Sequence, residues 1–477
     1  MTDGELSPAR FGAAFKAFME SVVAEAAAPV GPLLERMRVH LGADPAQLRV
    51  VAEEFDPFEH PNVQVAMDAY LAGKGREADL VGVAAEHKRY MALGLSDLVS
   101  PGARVSVGLA EGPIDYVNFH LAGDRVLSCV QFGLYLVGDG AARLVVLVAG
   151  SVESGSRQKL RVEVMTALPE AGRAFLGELA EAMRRLNVYR GHVISLSPGE
   201  LGMGPQTLVA FHALPTVARD DVILPAGVLE RVERHTVVFA EHAERLLAAG
   251  RSLKRGLLLH GPPGTGKTLT LMYLIGRMPG RTVLLTTGLG MGLLRPVAQM
   301  ARTLAPSMVV LEDVDLIAEE RGSFMHSGPL LFELLNEMDG LRDDSDIIFA
   351  LTTNRPEILE PALAARPGRV DLSVELPLPD GEGRRRLLEL YARGLDVRDV
   401  DVSVIVERTE GASPAYIKEL LRKAALLAAE EGAEMAVTGA HLDAALTELA
   451  EGGLLAQRIL GFRADADARG ARRARSR

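Results

Sequence analysis

Apolar and polar positions change rhythm twice before the middle of the chain and once after it. Over residues 1–100 the spacing reads as helical. Phe11, Phe15, Phe18 and Val22 recur every three or four positions and make one apolar face, the stripe of a core or subunit contact. Pro29 and Pro32 punctuate this region, and Asp56-Pro57 to Pro61 reads as a loop. Beyond Pro101-Gly102 the pattern turns to short β-rich runs, among them RVSVGL, RVLSCVQFGLYLVG, RLVVLVAG and KLRVEVM. Gly138-Asp139-Gly140 and Glu153-Ser154-Gly155 supply the turns between them. A long amphipathic helix follows from Pro169 to Leu186, and YRGHVISL is another strand. Residues 101–221 therefore read as a compact α/β module, suited to recognising a partner and without a motif that carries chemistry.

From residue 222 to 380, apolar strand-like runs alternate with helical stretches, the signature of a parallel sheet with crossover helices. After Pro379 the strands stop, and three or four helices fill residues 381–452. Residues 453–477 form a basic tail whose last part, RADADARGARRARSR, has the composition of a disordered segment.

Composition narrows the function classes. A length of 477 residues suggests about three domains at roughly 150 residues each, and 48% hydrophobic with 24% charged residues is ordinary for a globular chain. The formal net charge of −11 opposes a general nucleic-acid surface, which needs clustered positive charge to displace phosphate counterions. One local exception is the tail, where Arg469, Arg472, Arg473, Arg475 and Arg477 leave a nucleic-acid motor as a third reading. Cys129, the single cysteine, rules out an internal disulfide framework. With no basic–apolar leader and no apolar run near the ~18 residues that span a bilayer, the expectation is a cytoplasmic protein without a membrane partner. No H-E-x-x-H occurs, and His40, His60, His87 and His120 are scattered, which argues against a fused metalloprotease.

The most informative stretch is GLLLHGPPGTGKTLTLMYLIG. A short apolar strand, Leu257–Leu259, leads into Gly261-Pro262-Pro263-Gly264-Thr265-Gly266-Lys267-Thr268, which opens a helix. This is G-x-x-x-x-G-K-T in the strand–loop–helix setting the motif requires. Its glycines let successive N–H groups turn toward phosphate oxygens, and the helix N-terminus adds unpaired donors and a positive dipole end. Lys267 is expected on the β- and γ-phosphates of ATP and Thr268 on Mg2+.

Two further apolar runs end in polar residues. Met308–Leu311 runs into Glu312-Asp313-Val314-Asp315, and a buried parallel strand stopping there delivers carboxylates to the sheet's carboxyl edge. One carboxylate is expected to hold Mg2+ through water and the next to orient the attacking water. Ile347–Leu351 runs into Thr352-Thr353-Asn354, and Asn354 can orient water without competing for the metal. Arg366 and Arg369 flank a Pro-Gly turn that suits a rigid guanidinium presentation toward a neighbour's γ-phosphate.

The order of these parts resembles the AAA+ superfamily of ATPases, and within it the AAA clade proper, over roughly half the chain. On that resemblance Walker A is Gly261–Thr268, Walker B is Val309–Asp313, sensor 1 is Asn354 and the paired arginine fingers are Arg366 and Arg369. TEGASPAYIKELLRKAAL, residues 409–426, looks like the lid-helix signature near the adenine, with Pro414-Ala415 where many relatives have Gly-Ala. Proline is tolerated in a first helical turn. The implied fold is α/β, a P-loop parallel-sheet ATPase domain (222–380) with a small helical lid (381–452), preceded by the helical region and the α/β module. The implied assembly is a homohexameric ring with the arginines acting in trans, and the implied work is chaperone-like remodelling or translocation of a protein client recognised by the N-terminal half.

Two departures qualify that picture. Walker B normally ends Asp-Glu; here Glu312 precedes Asp313, an order that looks like the branch containing the mitochondrial translocase of the folded Rieske protein. By position Glu312 takes the metal side and Asp313 the water side, one methylene short, which implies slow turnover or a locally shifted backbone. The segment Gly288-Leu289-Gly290-Met291-Gly292 lacks the aromatic of a pore loop, which puts threading in doubt. A nucleotide-dependent assembly switch with slow hydrolysis is therefore the second reading.

Overall fold

The computed structural model describes residues 12–19, 31–84, 93–100, 110–151, 159–198, 207–286, 293–315, 345–359, 370–432 and 436–451. Chain contacts divide it into two compact units, residues 1–188 with 198–209 and residues 189–197 with 210–477.

The first unit is built on a largely antiparallel seven-stranded sheet in the order β1-β7-β6-β5-β2-β3, with β4 also on β5. Its strands are β1 (Val50–Phe55), β2 (Arg76–Ala84), β3 (Ala110–Gly112), β4 (Asp115–His120), β5 (Val126–Asp139), β6 (Ala142–Ala149) and β7 (Leu160–Thr166). Helix α1 (Pro32–Leu41) buries Leu33, Leu34, Met37 and Leu41 with Leu134, Val145 and Leu147. A second cluster joins Val63 and Met67 of α2 (His60–Leu71) and Phe175 and Leu179 of α3 (Pro169–Arg185) to Tyr135, Val146 and Val162. With clusters on both faces, β6 is buried from Leu144 to Ala149 and reads as an unbroken apolar run.

Two expected boundaries are corrected here. Residues 1–100 are not a helical region: β1 pairs antiparallel with β7, and β2 with β5, so these residues belong to the same sheet as residues 110–166. The physical reason is local. VVAEEF is an edge strand with little buried surface, and READLVGVA is rich in residues that suit helices equally well. Nor does the α/β module run intact to residue 221, because β8 (Val193–Pro198) lies parallel to β11 (Thr282–Thr286) in the other sheet. Of the expected N-terminal stripe, Phe15 and Phe18 lie 54% and 61% exposed on the helix at 12–19, and Phe11 and Val22 fall outside the described residues.

The second unit carries a sheet in the order β14-β10-β13-β12-β11-β8-β9. Here β9 is Thr207–Phe211, β10 Arg255–His260, β12 Ser307–Leu311, β13 Ile347–Thr353 and β14 Leu372–Glu375. The pairings from β14 through β8 are parallel. Helices α4 (Lys267–Arg277) and α5 (Leu294–Thr303) are crossovers, and Leu271, Tyr273 and Leu274 of α4 pack with Leu257, Val310 and Ile348. Helices α6 (Gly381–Tyr391), α7 (Val402–Arg408), α8 (Pro414–Glu431) and α9 (Gly439–Glu451) form the lid around Ile417, Leu420 and Leu442. Strands do not stop altogether after Pro379: Asp396–Val397 and Ala436–Val437 make a two-residue parallel ladder. None of the described helices is long and apolar enough to cross a membrane.

Within the first unit His60 is 3% exposed, and its Nε2 donates to the Val130 carbonyl at 2.9 Å. Burial pushes its pKa from 6.5 down to about 4. The unfolded chain then takes up the proton more readily than the folded one, so stability present above pH 6.5 drains as pH falls toward 4. Urea titrations at pH 7 and pH 5 are expected to show a loss of about 2 kcal/mol that His60→Gln lacks. An equal loss of stability in both chains would contradict this.

Candidate active site

Sheet register assembles the site. Strand β13 lies between β10 and β12, with His260 opposite Thr353 and Leu311 opposite Leu351. The loop after β10, the acidic pair after β12 and Asn354 after β13 therefore leave the same edge side by side, the carboxyl edge where ligands of such sheets bind.

The loop Gly261–Gly266 is shaped by backbone only glycine adopts without strain, with φ of 75° at Gly264 and 96° at Gly266. Thr265 Oγ1 donates to the Pro262 carbonyl at 2.9 Å, and Thr270 Oγ1 to the Gly266 carbonyl at 2.9 Å, which holds the loop against the first turn of α4. Lys267 is buried. Its Nζ donates to the carbonyls of Gly261 and Pro262 at 2.9 Å each and to Asn354 Oδ1 at 2.8 Å. Burial pulls the Lys267 pKa down, and the carboxylates of Asp313 and Asp315 oppose that shift. Its ammonium is thus held by neutral oxygens, a partner set that a phosphate can replace at short range.

The acidic residues divide their contacts. Thr268 Oγ1 donates to Glu312 Oε1 at 2.6 Å. Asn354 Nδ2 donates to Asp313 Oδ1 at 3.1 Å. Glu312 thus sits with the threonine on one side, and Asp313 with the asparagine on the other. Asp313 has a left-handed backbone, φ 50°, and its N–H donates to Thr352 Oγ1 at 3.0 Å. Asp315, 5% exposed, accepts from Thr353 Oγ1 at 2.8 Å and from the Asn354 N–H at 3.2 Å.

The lid closes the other side. Ser413 caps α8 by accepting from the Tyr416 N–H at 3.1 Å, Pro414 follows as its first residue, and the Ala415 N–H donates to the Gly264 carbonyl at 3.2 Å. An open cleft of ≈ 430 Å3 is lined by the loop (Pro263–Thr270), the chain at Asp221–Leu224, Leu387 and Tyr391 of α6, and Pro414, Ala415 and Lys418 of α8. Its lining combines the polar groups of Lys267, Asp313 and Asn354 with the apolar side chains of Val222, Ile223, Leu387 and Tyr391. A lining that mixes charged, amide and apolar groups suits a nucleotide.

Residues 257–378 match the model of the ATPase family associated with various cellular activities (AAA), and residues 399–444 match that of the AAA+ lid domain. The chain carries an AAA+ ATPase module. Neither match extends into residues 1–256. Among curated relatives, the ATP-dependent zinc metalloprotease FtsH of Thermus thermophilus is 37% identical over 234 residues, 46% of this chain and 37% of that protein. FtsH 3 of Synechocystis sp. is 35% identical over 247 residues, 49% of this chain and 38% of its own length. The chain thus spans well under half the length of the curated relatives it matches. A chain from a solved structure, "Structural Basis for Katanin Self-Assembly", overlays with a TM-score of 0.41 and 23% identity, over 49% of this chain and 86% of its own.

In the AAA+ module the hard oxygens of Thr268 and Glu312 fit Mg2+, which prefers one or two protein ligands and keeps waters and phosphate oxygens for the rest. Among the described residues there is no cluster of three His, Cys, Asp or Glu that could hold a metal by itself. Arg366 and Arg369 fall outside the described residues, as do Gly288–Gly292 and the basic tail. Sequence reasoning missed Asp221–Leu224, Asp315, Thr352, Leu387, Tyr391 and Lys418. Leu387 and Tyr391, four apart on one helix, carried a usable periodic signal; the side-chain roles of Thr352 and Asp315 depend on sheet register and carried none.

Gly264 gives a steric test of the contact between the loop and the lid. A Cβ there would lie 2.8 Å from Ser413 Oγ and from Ala415 Cβ, at a φ that already disfavours alanine. Gly264→Ala is expected to weaken ADP binding by about tenfold or more, measured by calorimetry. Gly276→Ala, where a Cβ meets nothing within 4 Å, is expected to bind as the unsubstituted chain does.

Proposed function

We propose that the chain hydrolyses ATP with Mg2+ and uses the cycle to remodel or translocate a protein partner. One observation carries this reading: Lys267, Thr268, Asp313 and Asn354 line one nucleotide-sized cavity, with Glu312 hydrogen-bonded to Thr268 and Asp313 to Asn354.

The division of labour follows from the contacts. The N–H groups of the glycine loop and the N-terminus of α4 hold the phosphate chain, and Lys267 exchanges its carbonyl partners for β- and γ-phosphate oxygens. Thr268 and Glu312 would hold Mg2+, which would supply positive charge to offset that of the phosphate chain. Asp313 and Asn354 orient water for in-line attack, Asp313 accepting its proton. Arg366 and Arg369 are assigned to a neighbouring copy's γ-phosphate, which makes a ring of this chain the working assembly. The first unit supplies the client surface. The relatives' name, ATP-dependent metalloprotease, supports a protein as the material acted upon.

The second reading, a nucleotide-dependent assembly switch with slow hydrolysis, draws on the short reach of Asp313. The two differ in turnover: a partner that quickens hydrolysis favours remodelling, and ATP-dependent ring formation at negligible turnover favours the switch.

Steady-state hydrolysis by the purified chain is expected to fall by roughly 10²-fold or more in Lys267→Ala. Asp313→Asn should retain ATP binding and lose hydrolysis, whereas Glu312→Gln should lose the dependence of binding on Mg2+. Equal rates for the chain and Lys267→Ala would end the proposal.

A further inference from the structure

We propose that Thr352 is a positioning residue for Asp313: its hydroxyl fixes the left-handed backbone that aims this short carboxylate at the water-orienting place beside Asn354. The inference rests on the ATPase reading above and deepens it.

Among the described residues only Asp124, Asp313 and Asp399 combine a side chain with a positive φ. Asp124 lies in the turn between β4 and β5, and Asp399 in the connection after the strand at Asp396–Val397, where such backbone is commonplace. Asp313 lies elsewhere, two residues past the end of the central strand β12 and inside the reacting cluster. A left-handed residue other than glycine costs on the order of 1–2 kcal/mol and persists where its surroundings over-determine it.

The surroundings here are largely one residue. Thr352 accepts from the Asp313 N–H through its hydroxyl at 3.0 Å and from the Val314 N–H through its carbonyl at 3.0 Å. Thr352 is 2% exposed, and removing its hydroxyl takes away the acceptor that the Asp313 N–H uses on the strand side. The next residue does the complementary task. Thr353 Oγ1 donates to Asp315 Oδ1, and the same oxygen accepts the Asn354 N–H. Two consecutive threonines at the end of β13 thus hold both ends of Asp313-Val314-Asp315, and the carboxylate of Asp313 comes out on the Asn354 amide. The chain turns at residue 313, so its dihedral angles decide where a carboxylate without glutamate's extra methylene arrives. A displacement near 1 Å at a reacting centre costs about 10²-fold in rate, which makes the hydroxyl a determinant of turnover and not of nucleotide affinity.

The test uses the full chain with Thr352→Val, near-isosteric without the acceptor, Thr352→Ser, which keeps it, and Asp313→Glu alone and combined with Thr352→Val. Hydrogen exchange of the peptide spanning residues 309–315 is followed without nucleotide, and kcat and KM are measured with Mg-ATP. The inference predicts faster exchange in Thr352→Val and a kcat lower by about tenfold or more, with KM within about twofold. Thr352→Ser is expected to stay within about threefold on both. Asp313→Glu should lower kcat in the native background yet raise it in the Thr352→Val background, where the longer side chain regains reach. Unchanged kcat in Thr352→Val despite faster exchange overturns the inference, as does a loss that serine fails to rescue. These results leave the ATPase reading standing; an unsubstituted chain that hydrolyses no ATP removes both.

Discussion

The parallel register of three strands governs everything else in the AAA+ module. Because β13 is flanked by β10 and β12, with His260 beside Thr353 and Leu311 beside Leu351, three segments far apart in sequence finish within hydrogen-bonding distance of one another. Lys267 reaches Asn354 across 87 residues and Thr268 reaches Glu312 across 44 only through that alignment. A one-residue slip in any of the three would turn every side chain to the opposite face and dissolve both contacts at once. The apolar packing beneath, Leu257, Leu259, Val310, Ile348 and Ala350, is what fixes the register.

On that frame the lid is a second constraint. The first turn of α8 meets the phosphate loop through backbone, Ala415 to Gly264, so the loop's shape and the lid's position are set together. Asp221 accepts from Arg393 at 3.1 Å and lines the same cavity, which ties the chain entering the module to the residues just after α6. An exposed ion pair of this kind adds little stability; what it adds is a contact between two segments that border one ligand.

Much of the candidate site is legible in the sequence. A glycine-rich loop and an acidic strand end announce themselves because the chemistry restricts residue type and the spacing is local. What stayed hidden depends on partners distant in sequence. Asp315 reads as one more acid in Glu-Asp-Val-Asp, yet it is buried and holds Thr353 and Asn354. Thr352 reads as a strand residue, and only the parallel pairing of β12 with β13 brings it to Asp313. In the first unit the failure has another cause. β1 and β2 hold their places through pairing with β7 and β5, and their own side chains, many of them exposed, show little alternation. Their context, not their propensity, makes them strands.

The central claim is that two adjacent carboxylates have separate tasks, Glu312 toward the metal with Thr268 and Asp313 toward water with Asn354. A high-resolution structure of the chain with Mg2+ and a non-hydrolysable ATP analogue tests this most directly. The metal is expected on the Thr268–Glu312 side, with the γ-phosphate against Lys267 and a water between Asp313 and Asn354. Metal coordinated on the Asp313 side, with Glu312 turned away from Thr268, would contradict the assignment.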